Sequence, residues 1–437
     1  MTRMKESSID WIGQIPEEWE IVKFKYLFNT SKGLSITKEY LVDEGIPVIN
    51  YGQIHSSLTK QVQSCDDRLP FVANYYLSKK GVKLNQGDFV FADTSEDLEG
   101  AGNFSTRLDS TGQLLAGYHT IIARLNDYDE HDFRYFMHLF DSLAIRKQIQ
   151  NKVSGVKVYS VTQGILNSIF VIIPPKNEQQ KIADFLDKKT AQLDKVKALL
   201  EEQIQKLKDY RASLIYETVT KGLDKTVPMK DSGIDWIGQV PEGWGVKPLK
   251  YLASYDDETL TQSEINSNRK IDYVDISSVE FTKGINGHQE FSTLEAPSRA
   301  RKIAKKGDTI ISTVRTYLKA IAYVNNDYIV STGFCVVRPK KINSKYLNYT
   351  IMSDSFTGPV SKYAWGVSYP AISSSQLVNI PIPFPESIEE QLSIVDYLDH
   401  KMLQINQLID IKQEQIENIN KQRQTLIFDY VTGKRRV

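Results

Sequence analysis

Cysteine is scarce in this chain, since its 437 residues include only Cys65 and Cys335. The two lie far apart in unlike contexts, so we expect neither a disulfide framework nor a metal cluster. Long apolar runs are lacking too, because no stretch reaches the ~18 residues that a bilayer-spanning helix needs. The first residues lack the apolar region of a signal peptide, and we therefore expect a cytoplasmic protein.

Net charge is also lacking, because 54 basic residues are balanced by 54 acidic ones. This balance argues against a protein that coats nucleic acid by charge alone, although basic groups can still concentrate on one face. The hydrophobic fraction of 41% and the charged fraction of 25% are typical of a globular protein. At this length a single core is not expected, so we predict two or more domains.

Catalytic signatures are missing as well. The sequence has no GxxxxGK[ST] phosphate loop, no HExxH zinc motif, and no Asn or Asp before Pro-Pro-Tyr or Pro-Pro-Phe. Gly100 and Gly102 form a lone GxG, which is a weak signal. Ser95, Glu96 and Asp97 lack the lysine and further carboxylates of a metal nuclease. Because their charge would repel phosphate, we expect them to cap a helix, and the alternative is that they face nucleic-acid bases such as cytosine. We therefore predict no catalytic residue, no metal and no cofactor.

What the sequence does contain is a long internal repeat. SSIDWIGQIPEEW at 7–19 returns as SGIDWIGQVPEGW at 232–244, with ten of thirteen positions identical. Two later segments also recur, IADFLD (182–187) as IVDYLD (394–399), and LIYETVT (214–220) as LIFDYVT (426–432). Between these anchors the halves diverge. Because the ends of the two halves are similar and the segments between them are not, we predict that the recurring segments form one structural frame, present twice. The alternative is two domains of the same fold that do not act together.

The divergent middles have the pattern of mixed domains. Short β-branched or aromatic runs bounded by turn residues predict strands at 88–92, 119–125, 308–313 and 334–339. Apolar residues at helical spacing predict a helix over 133–150.

Each half ends in a long stretch without Gly or Pro, from Pro175 to Gly222 and from Pro385 to Gly433. The first carries a leucine every seven residues: Leu186, Leu193, Leu200, Leu207 and Leu214. The second has Leu398, Ile405, Lys412, Ile419 and Leu426 in those places, and a second apolar row pairs Val196 and Ile204 with Leu408 and Ile416. Such heptads predict rods of roughly 65 Å that pack on each other, most simply antiparallel. The alternative is two arms that each recruit another chain.

The predicted fold is therefore α+β. Pseudo-symmetric α/β domains at 1–175 and 224–386 are separated by helices at 176–223 and 387–437, which form an antiparallel coiled coil.

These features together resemble the specificity (S) subunits of type I restriction–modification systems. The resemblance is carried by the two DWIGQ openings, by EQQKIADFLD and EEQLSIVDYLD, and by the repeated Val-Thr helix ends. It implies two target-recognition domains, each reading one half of a bipartite asymmetric site in double-stranded DNA. It also implies helices that set the spacer and dock two modification (methyltransferase) subunits, with restriction (endonuclease/translocase) subunits joining. The chain would have no activity of its own, while the complex methylates adenine and cleaves DNA. The alternatives are a coiled-coil interaction scaffold without DNA binding and a subunit of a modification-only system.

Candidate DNA contacts in the second domain fall in two segments. In TVRTYLK, Arg315, Tyr317 and Lys319 alternate along a strand or its exit and so share one face, although a surface salt bridge is the alternative for Arg315. The loop SKYAWGVSYP offers aromatic and basic side chains that stack on the duplex or close a small core: Lys362, Tyr363, Trp365, Ser368 and Tyr369.

Candidates in the first domain fall in the corresponding loop, QNKVSGVKVYSVTQG, and in NYGQIH. Lysines suit phosphates, whereas Asn and Gln suit adenine. The candidates are Lys152, Lys157, Tyr159 and Gln163 in the loop, and Asn50, Tyr51 and Gln53 in the second segment. The tryptophans of the repeated opening, Trp11, Trp19, Trp236 and Trp244, are expected to be buried in the frame.

Overall fold

The computed structural model describes residues 3–155, 157–366 and 369–437. By its internal contacts the chain divides into unit 1, Met1–Leu200 with Glu414–Val437, and unit 2, Glu201–Gln413. Among the described residues, none of the helices combines the length and hydrophobicity that crossing a membrane requires.

Unit 1 is built around a five-stranded sheet. Its strands lie in the order Phe28–Lys32, Thr120–Leu125, Phe89–Ala92, Phe104–Arg107 and Lys60–Val62. All neighbours pair antiparallel except the last two, which are parallel. A four-stranded sheet has the order Leu115–Ala116, Ile46–Ile49, Phe71–Val72 and Leu41–Val42. Two-strand pairs join Met4–Glu6 to Gln14–Pro16, Glu20–Lys23 to Phe170–Ile173, and Thr94–Ser95 to Tyr159–Ser160.

The shorter helices of unit 1 pack phenylalanines against that sheet. They span Phe24–Leu27, Tyr51–His55, Phe133–Asp141, Leu143–Gln150 and Gln163–Ser168, with 3-10 turns at Lys38–Tyr40 and Asn74–Ser78. Phe28 and Phe140 lie at the centre of the cluster, with ring centroids 5.4 Å apart. Aromatic rings at this spacing contribute beyond the area they bury.

Unit 2 has two four-stranded sheets. One has the order Ala253–Tyr255, Phe334–Pro339, Thr309–Ser312 and Ile321–Tyr323, and the other Gln289–Ser292, Lys270–Val274, Tyr328–Ser331 and Ala300–Ala304. Two-strand pairs join Met229–Asp231 to Gln239–Pro241, Trp244–Pro248 to Pro381–Pro385, and Val279–Glu280 to Gly284–Ile285. Short helices span Gln262–Asn266, Ser344–Met352, Asp354–Tyr363 and Ser374–Leu377, with 3-10 turns at Leu249–Tyr251, Ile276–Ser278 and Thr316–Leu318.

Two long helices complete the fold, the first at Lys176–Lys221 and the second at Ile388–Val431. Prolines stand between each helix and the strand before it or end that strand, namely Pro174 and Pro175 after Ile173, and Pro385 at the end of Pro381–Pro385. Proline suits a helix start but cannot continue a central strand. Each helix is followed by a left-handed glycine, Gly222 (φ 70°) and Gly433 (φ 71°), a backbone conformation that favours glycine at helix ends. These bounds confirm the predicted α+β class with two long helices.

The two long helices run antiparallel within each unit. In unit 1 the rings of Phe185 and Tyr430 are in tilted contact, with centroids 4.5 Å apart. Asp194, later in the first helix, lies 3.5 Å from Arg423, which comes earlier in the second helix. In unit 2 the same reversal places Lys412 Nζ 2.6 Å from Gln203 Oε1 and Arg211 2.9 Å from Asn406.

The second predicted apolar row is only partly buried. Ile204 and Ile416 are buried, but Val196 and Leu408 are each 46% exposed. Two of the four side chains in this row therefore remain largely exposed.

The repeated opening is anchored in the same way in both units. Trp19 and Trp244 are buried, and their indole nitrogens donate to Glu178 and Glu390 at 2.7 and 2.9 Å. Both carboxylates lie in the first turn of a long helix, so the predicted burial is confirmed for these two. Trp11 and Trp236 are only half-buried.

A buried ionic cluster secures the second long helix in unit 1. Asp141 is 3% exposed and lies 2.8 Å from Lys60 and 2.7 Å from Arg423. Burial by itself would raise the pKa of the Asp141 carboxyl, but the two cations outweigh burial and lower the pKa below its usual range. Asp141 is therefore ionised in the folded protein.

We predict that Asp141→Asn lowers the free energy of unfolding by about 3–5 kcal/mol, because it leaves Lys60 without its anion and Arg423 with only the exposed Asp194. Since the folded-state pKa is lowered, this contribution is fully present above the unfolded-state pKa and is lost as pH falls through the folded-state pKa. Denaturant unfolding of both proteins across acidic pH measures it. Asp194→Asn, at the exposed end of the cluster, should cost less than about 1 kcal/mol. An equal loss of unfolding free energy in the two variants would contradict the conclusion that Asp141 is the main anion of this cluster.

Candidate nucleic-acid interface

Matching hairpins occur in the two units, at the point where the divergent segment of each half ends and the recurring segments resume. In unit 2, Trp365 and Ala371 exchange backbone hydrogen bonds of 2.8 and 2.9 Å. In unit 1, Ser154 and Ser160 form the corresponding bridge, and both positions differ from those of unit 2 by 211 residues. The sequence similarity of the two loops thus reflects one local structure.

The Arg315 segment differs from its prediction. The strand ends at Ser312, and residues Thr316–Leu318 form a 3-10 turn with Arg315 and Lys319 in the left-handed region on either side. The three residues therefore lie at the exit of the strand, as one of the two predicted placements has it, but in a turn that does not alternate their side chains. Lys319 is engaged in a 2.9 Å ion pair with Asp354, and only Arg315 and Tyr317 remain exposed.

Arg315 is held against the hairpin of unit 2. Its backbone nitrogen donates to the Pro370 carbonyl at 2.8 Å, and its guanidinium lies 4.8 Å from the ring centroid of Tyr369. A cation over an aromatic face gains electrostatic attraction and loses rotational freedom. The guanidinium is thereby oriented at the surface.

Exposed aromatic side chains surround Arg315. Trp365 is 84% exposed and Tyr369 is 64% exposed, which excludes the alternative that these rings close a small core. The helix Asp354–Tyr363, which ends in Lys362 and Tyr363, contacts the 3-10 turn. We call the following set the aromatic patch: Arg315, Tyr317, Lys362, Tyr363, Trp365 and Tyr369. The predicted contact Ser368 lies outside the described residues.

The hairpin of unit 1 carries lysines in place of aromatic rings. Lys157 is exposed, and Lys152 donates to Ser168 Oγ at 2.9 Å. Tyr159 is half-buried against the core, and Gln163 begins a short helix. The tip is therefore suited to charge contacts more than to stacking.

The NYGQIH segment of unit 1 is largely structural. Asn50 is 1% exposed, and its side-chain oxygen accepts from the Tyr118 backbone at 3.1 Å. Gln53 Oε1 accepts from the Asn50 nitrogen at 3.2 Å, closing a capping box. Asn50 thus has no surface from which to reach a base, whereas Tyr51 lines a cavity.

That cavity of about 750 Å³ is a feature that the sequence did not reveal. His55 donates to the Thr94 carbonyl at 2.7 Å and accepts from Asn103 at 3.0 Å, and Arg146 donates to Asn103 at 2.5 Å. Burial lowers the pKa of Arg146. These residues come from four separate elements, so no spacing pattern marks them.

The acidic loop beside this cavity closes a turn. Ser95 Oγ accepts from the Asp97 nitrogen at 3.4 Å, and Asp97 accepts from Gly100 at 2.6 Å. The expected helix cap is therefore wrong, because no helix follows.

A possible metal-ligand cluster lies in unit 2. Asp272, His288 and Glu290 are exposed and place their ligand atoms within 4.8 Å of one another. Exposed carboxylates without buried supporting groups do not make a built site.

Comparisons with known proteins agree with the repeat. A family model described as type I restriction modification DNA specificity domain matches residues 16–208 and again 241–421. The chain is 23% identical to the type I restriction enzyme MjaVIII specificity subunit of Methanocaldococcus jannaschii, over 97% of this chain and 94% of that protein. It is 26% identical to the StySPI specificity subunit of Salmonella potsdam, over 77% and 72%.

The fold is also found in a solved structure. A chain from a study of complex assembly and conformational transition in the type I R-M system superposes with a TM-score of 0.70 at 18% identity. The match covers 96% of this chain and 99% of that one.

We predict that Trp365→Ala changes the free energy of unfolding by no more than about 0.5 kcal/mol, because the side chain is exposed. The matched control is Trp244→Ala in the same unit, which removes a buried ring and should cost about 3–5 kcal/mol. Denaturant unfolding compares the two variants. A large loss for Trp365→Ala would show that this ring supports the fold.

Proposed function

We propose that this chain, which belongs to the type I restriction–modification DNA specificity family, is the subunit that selects the DNA sequence for a type I complex. Each unit reads one half of a bipartite asymmetric site, and the chain itself catalyses no reaction. The observation that carries this proposal is that the tryptophan and tyrosine contacts of the repeated segments occur in both units, around unlike intervening segments. A palindromic DNA site has two identical half-sites and would be read by two similar domains. Two different half-sites need domains whose reading segments differ.

In unit 2 the aromatic patch is the proposed reading surface. The guanidinium of Arg315 suits a bidentate contact with a guanine edge or a phosphate. Trp365 and Tyr369 offer exposed rings that stack on or wedge against bases. Lys362 and Tyr317 then fix the neighbouring backbone.

In unit 1 the proposed contacts are more electrostatic. Lys152 and Lys157 at the hairpin neutralise phosphates, with Tyr159 and Gln163 beside them. Tyr51 lines the cavity, and Gln53, whose side-chain oxygen closes the capping box, lies two residues further along the same short helix. The two units thus offer different chemistry in corresponding places.

The repeated frame provides matching surfaces for two methyltransferase subunits. Tyr26 and Tyr251 are 66% and 60% exposed, and each has a lysine over its ring, Lys25 at 5.0 Å and Lys250 at 5.4 Å. Identical exposed pairs in two otherwise divergent units favour docking of one partner twice, with restriction subunits joining. A scaffold that does not bind DNA gives no reason for the aromatic patch and is not favoured.

Methylome sequencing tests this function. Cells that carry the gene and active partner subunits should methylate adenine in one split, asymmetric motif, and deletion of the gene should remove that motif. An unchanged methylome would overturn the proposal. In the same assay Arg315→Ala should reduce methylation of the motif by about tenfold or more, because a base or phosphate contact is lost. Arg269→Ala, which alters an exposed arginine paired with Glu264, should leave the motif unchanged.

The long helices are proposed to set the spacer between half-sites. Inserting seven residues after Leu200 and after Gln413 adds a helical length of about 10 Å, or about three base pairs. We expect the unread spacer of the methylated motif to lengthen accordingly, with both half-sites retained. Insertion after Leu200 alone should abolish methylation, because the helices can no longer pair in register. If the variant with both insertions methylates a motif with the original spacer, the proposal that helix length sets the spacer is contradicted.

A further inference from the structure

A buried arginine of unit 2 has no anion beside it. Arg211, on the first long helix, is 8% exposed, and its guanidinium donates to the neutral amide oxygen of Asn406 at 2.9 Å. Among the described residues no carboxylate forms an ion pair with it, and burial alone lowers its pKa. Leaving a buried charge unpaired is costly, so this position requires an explanation.

The repeat identifies what is missing. Arg211 corresponds to Arg423 of unit 1, and Asn406 corresponds to Asp194, both at an offset of 212 residues. The second anion beside Arg423 is Asp141, which follows Tyr135 by six residues. Tyr346 makes the same hydrogen bonds in unit 2 as Tyr135 does in unit 1. Six residues after Tyr346 comes Met352, so unit 2 keeps the arginine and replaces both carboxylates with neutral side chains.

The vacant position opens into a cavity. A space of about 270 Å³ in unit 2 is lined by Arg211, Asn406 and Met352. Its other charged groups are Lys283, Lys345 and Asp399. Asp399 is held by Lys345 and by the Tyr349 hydroxyl at 2.6 Å, so its charge is already satisfied. Lys345 is paired with Asp399, and Lys283 is paired with Glu280 at 3.1 Å, so among the described residues Arg211 is the charged group of the lining that has no ion pair.

We propose that this cavity binds a carboxylate group from a second molecule, which pairs with Arg211 as Asp141 and Asp194 pair with Arg423 in unit 1. A planar guanidinium presents parallel N–H donors that fit a carboxylate. The volume admits a small free dicarboxylate or the side chain of an Asp or Glu. The site is separate from the aromatic patch and does not depend on the proposed DNA recognition.

Thermal unfolding of the full chain with malonate as the probe tests the site. We expect malonate to raise the midpoint of unfolding by about 2 °C or more over sodium chloride of equal ionic strength, because it binds the folded state only. Arg211→Met, which keeps the side chain's volume without its charge, should remain folded and lose this response. The absence of a malonate response, or an equal response in Arg211→Met, would overturn the proposal.

Two further variants separate the site from general effects. Asn406→Asp restores the carboxylate of unit 1, so it should raise the midpoint without malonate and abolish the malonate response. Arg423→Met should lower the midpoint of unfolding, since it removes one of the two cations beside the buried Asp141, but it should retain the full response to malonate. If the malonate response survives in Asn406→Asp, or disappears in Arg423→Met, malonate does not act through the Arg211 site.

A blocked peptide distinguishes the two sources of the carboxylate. Acetyl-Gly-Glu-Gly-amide presents one carboxylate, on a side chain. Protection by malonate alone assigns the site to a small free anion, whereas protection by both probes shows that it also accepts a protein side chain. Both results require Arg211, and the Gln analogue of the peptide should have no effect.

Discussion

A pair of buried tyrosine hydroxyls holds the frame together. Tyr135 donates to the carbonyls of Ile172 and Val431, both at 3.1 Å, and so joins the strand before the first long helix to the end of the second. Tyr346 makes the reciprocal connection to Pro383 and Val219, both at 3.2 Å. Each hydroxyl has a single hydrogen that is shared between two carbonyls, so each bifurcated bond contributes about 1 kcal/mol in all. Their larger effect is orientational, because the start of one helix must meet the end of the other, which requires an antiparallel pair.

The unlike middles attach to this frame at corresponding points and then diverge. In unit 1 the Val161 nitrogen donates to the Asp93 carbonyl, and in unit 2 Ile372 donates to Thr313. Two residues beyond those carbonyls the chain carries Ser95 in an acidic turn or Arg315 in a left-handed turn. Corresponding positions in the two units therefore carry different groups: acidic side chains in unit 1, and an arginine with aromatic rings in unit 2. Under the proposed function, this difference is what would let the two units read unlike sequences.

Features governed by periodicity or repetition could be predicted from the sequence. The heptads predicted both long helices and the repeated openings predicted the equivalent anchors, because each signal is summed over many residues. Local features failed where a few hydrogen bonds decide the backbone. Arg315 leaves its strand because Pro370 and Tyr369 hold it, and Asn50 is buried because it caps a helix and binds Tyr118, contacts that come from distant segments. The cavity with His55 and Arg146 was missed for the same reason.

Unit 2 is a continuous stretch of chain, whereas unit 1 is assembled from residues on both sides of it. A ribosome therefore releases all of unit 2 before it releases the segment from Glu414 onward that completes unit 1. Until then, the apolar faces of Ile182 and Leu186 lack the packing provided by Ile427 and Val431. The nascent chain thus exposes part of unit 1 until the segment from Glu414 onward has been made, and this interval is when chaperones or misassociation would act on it.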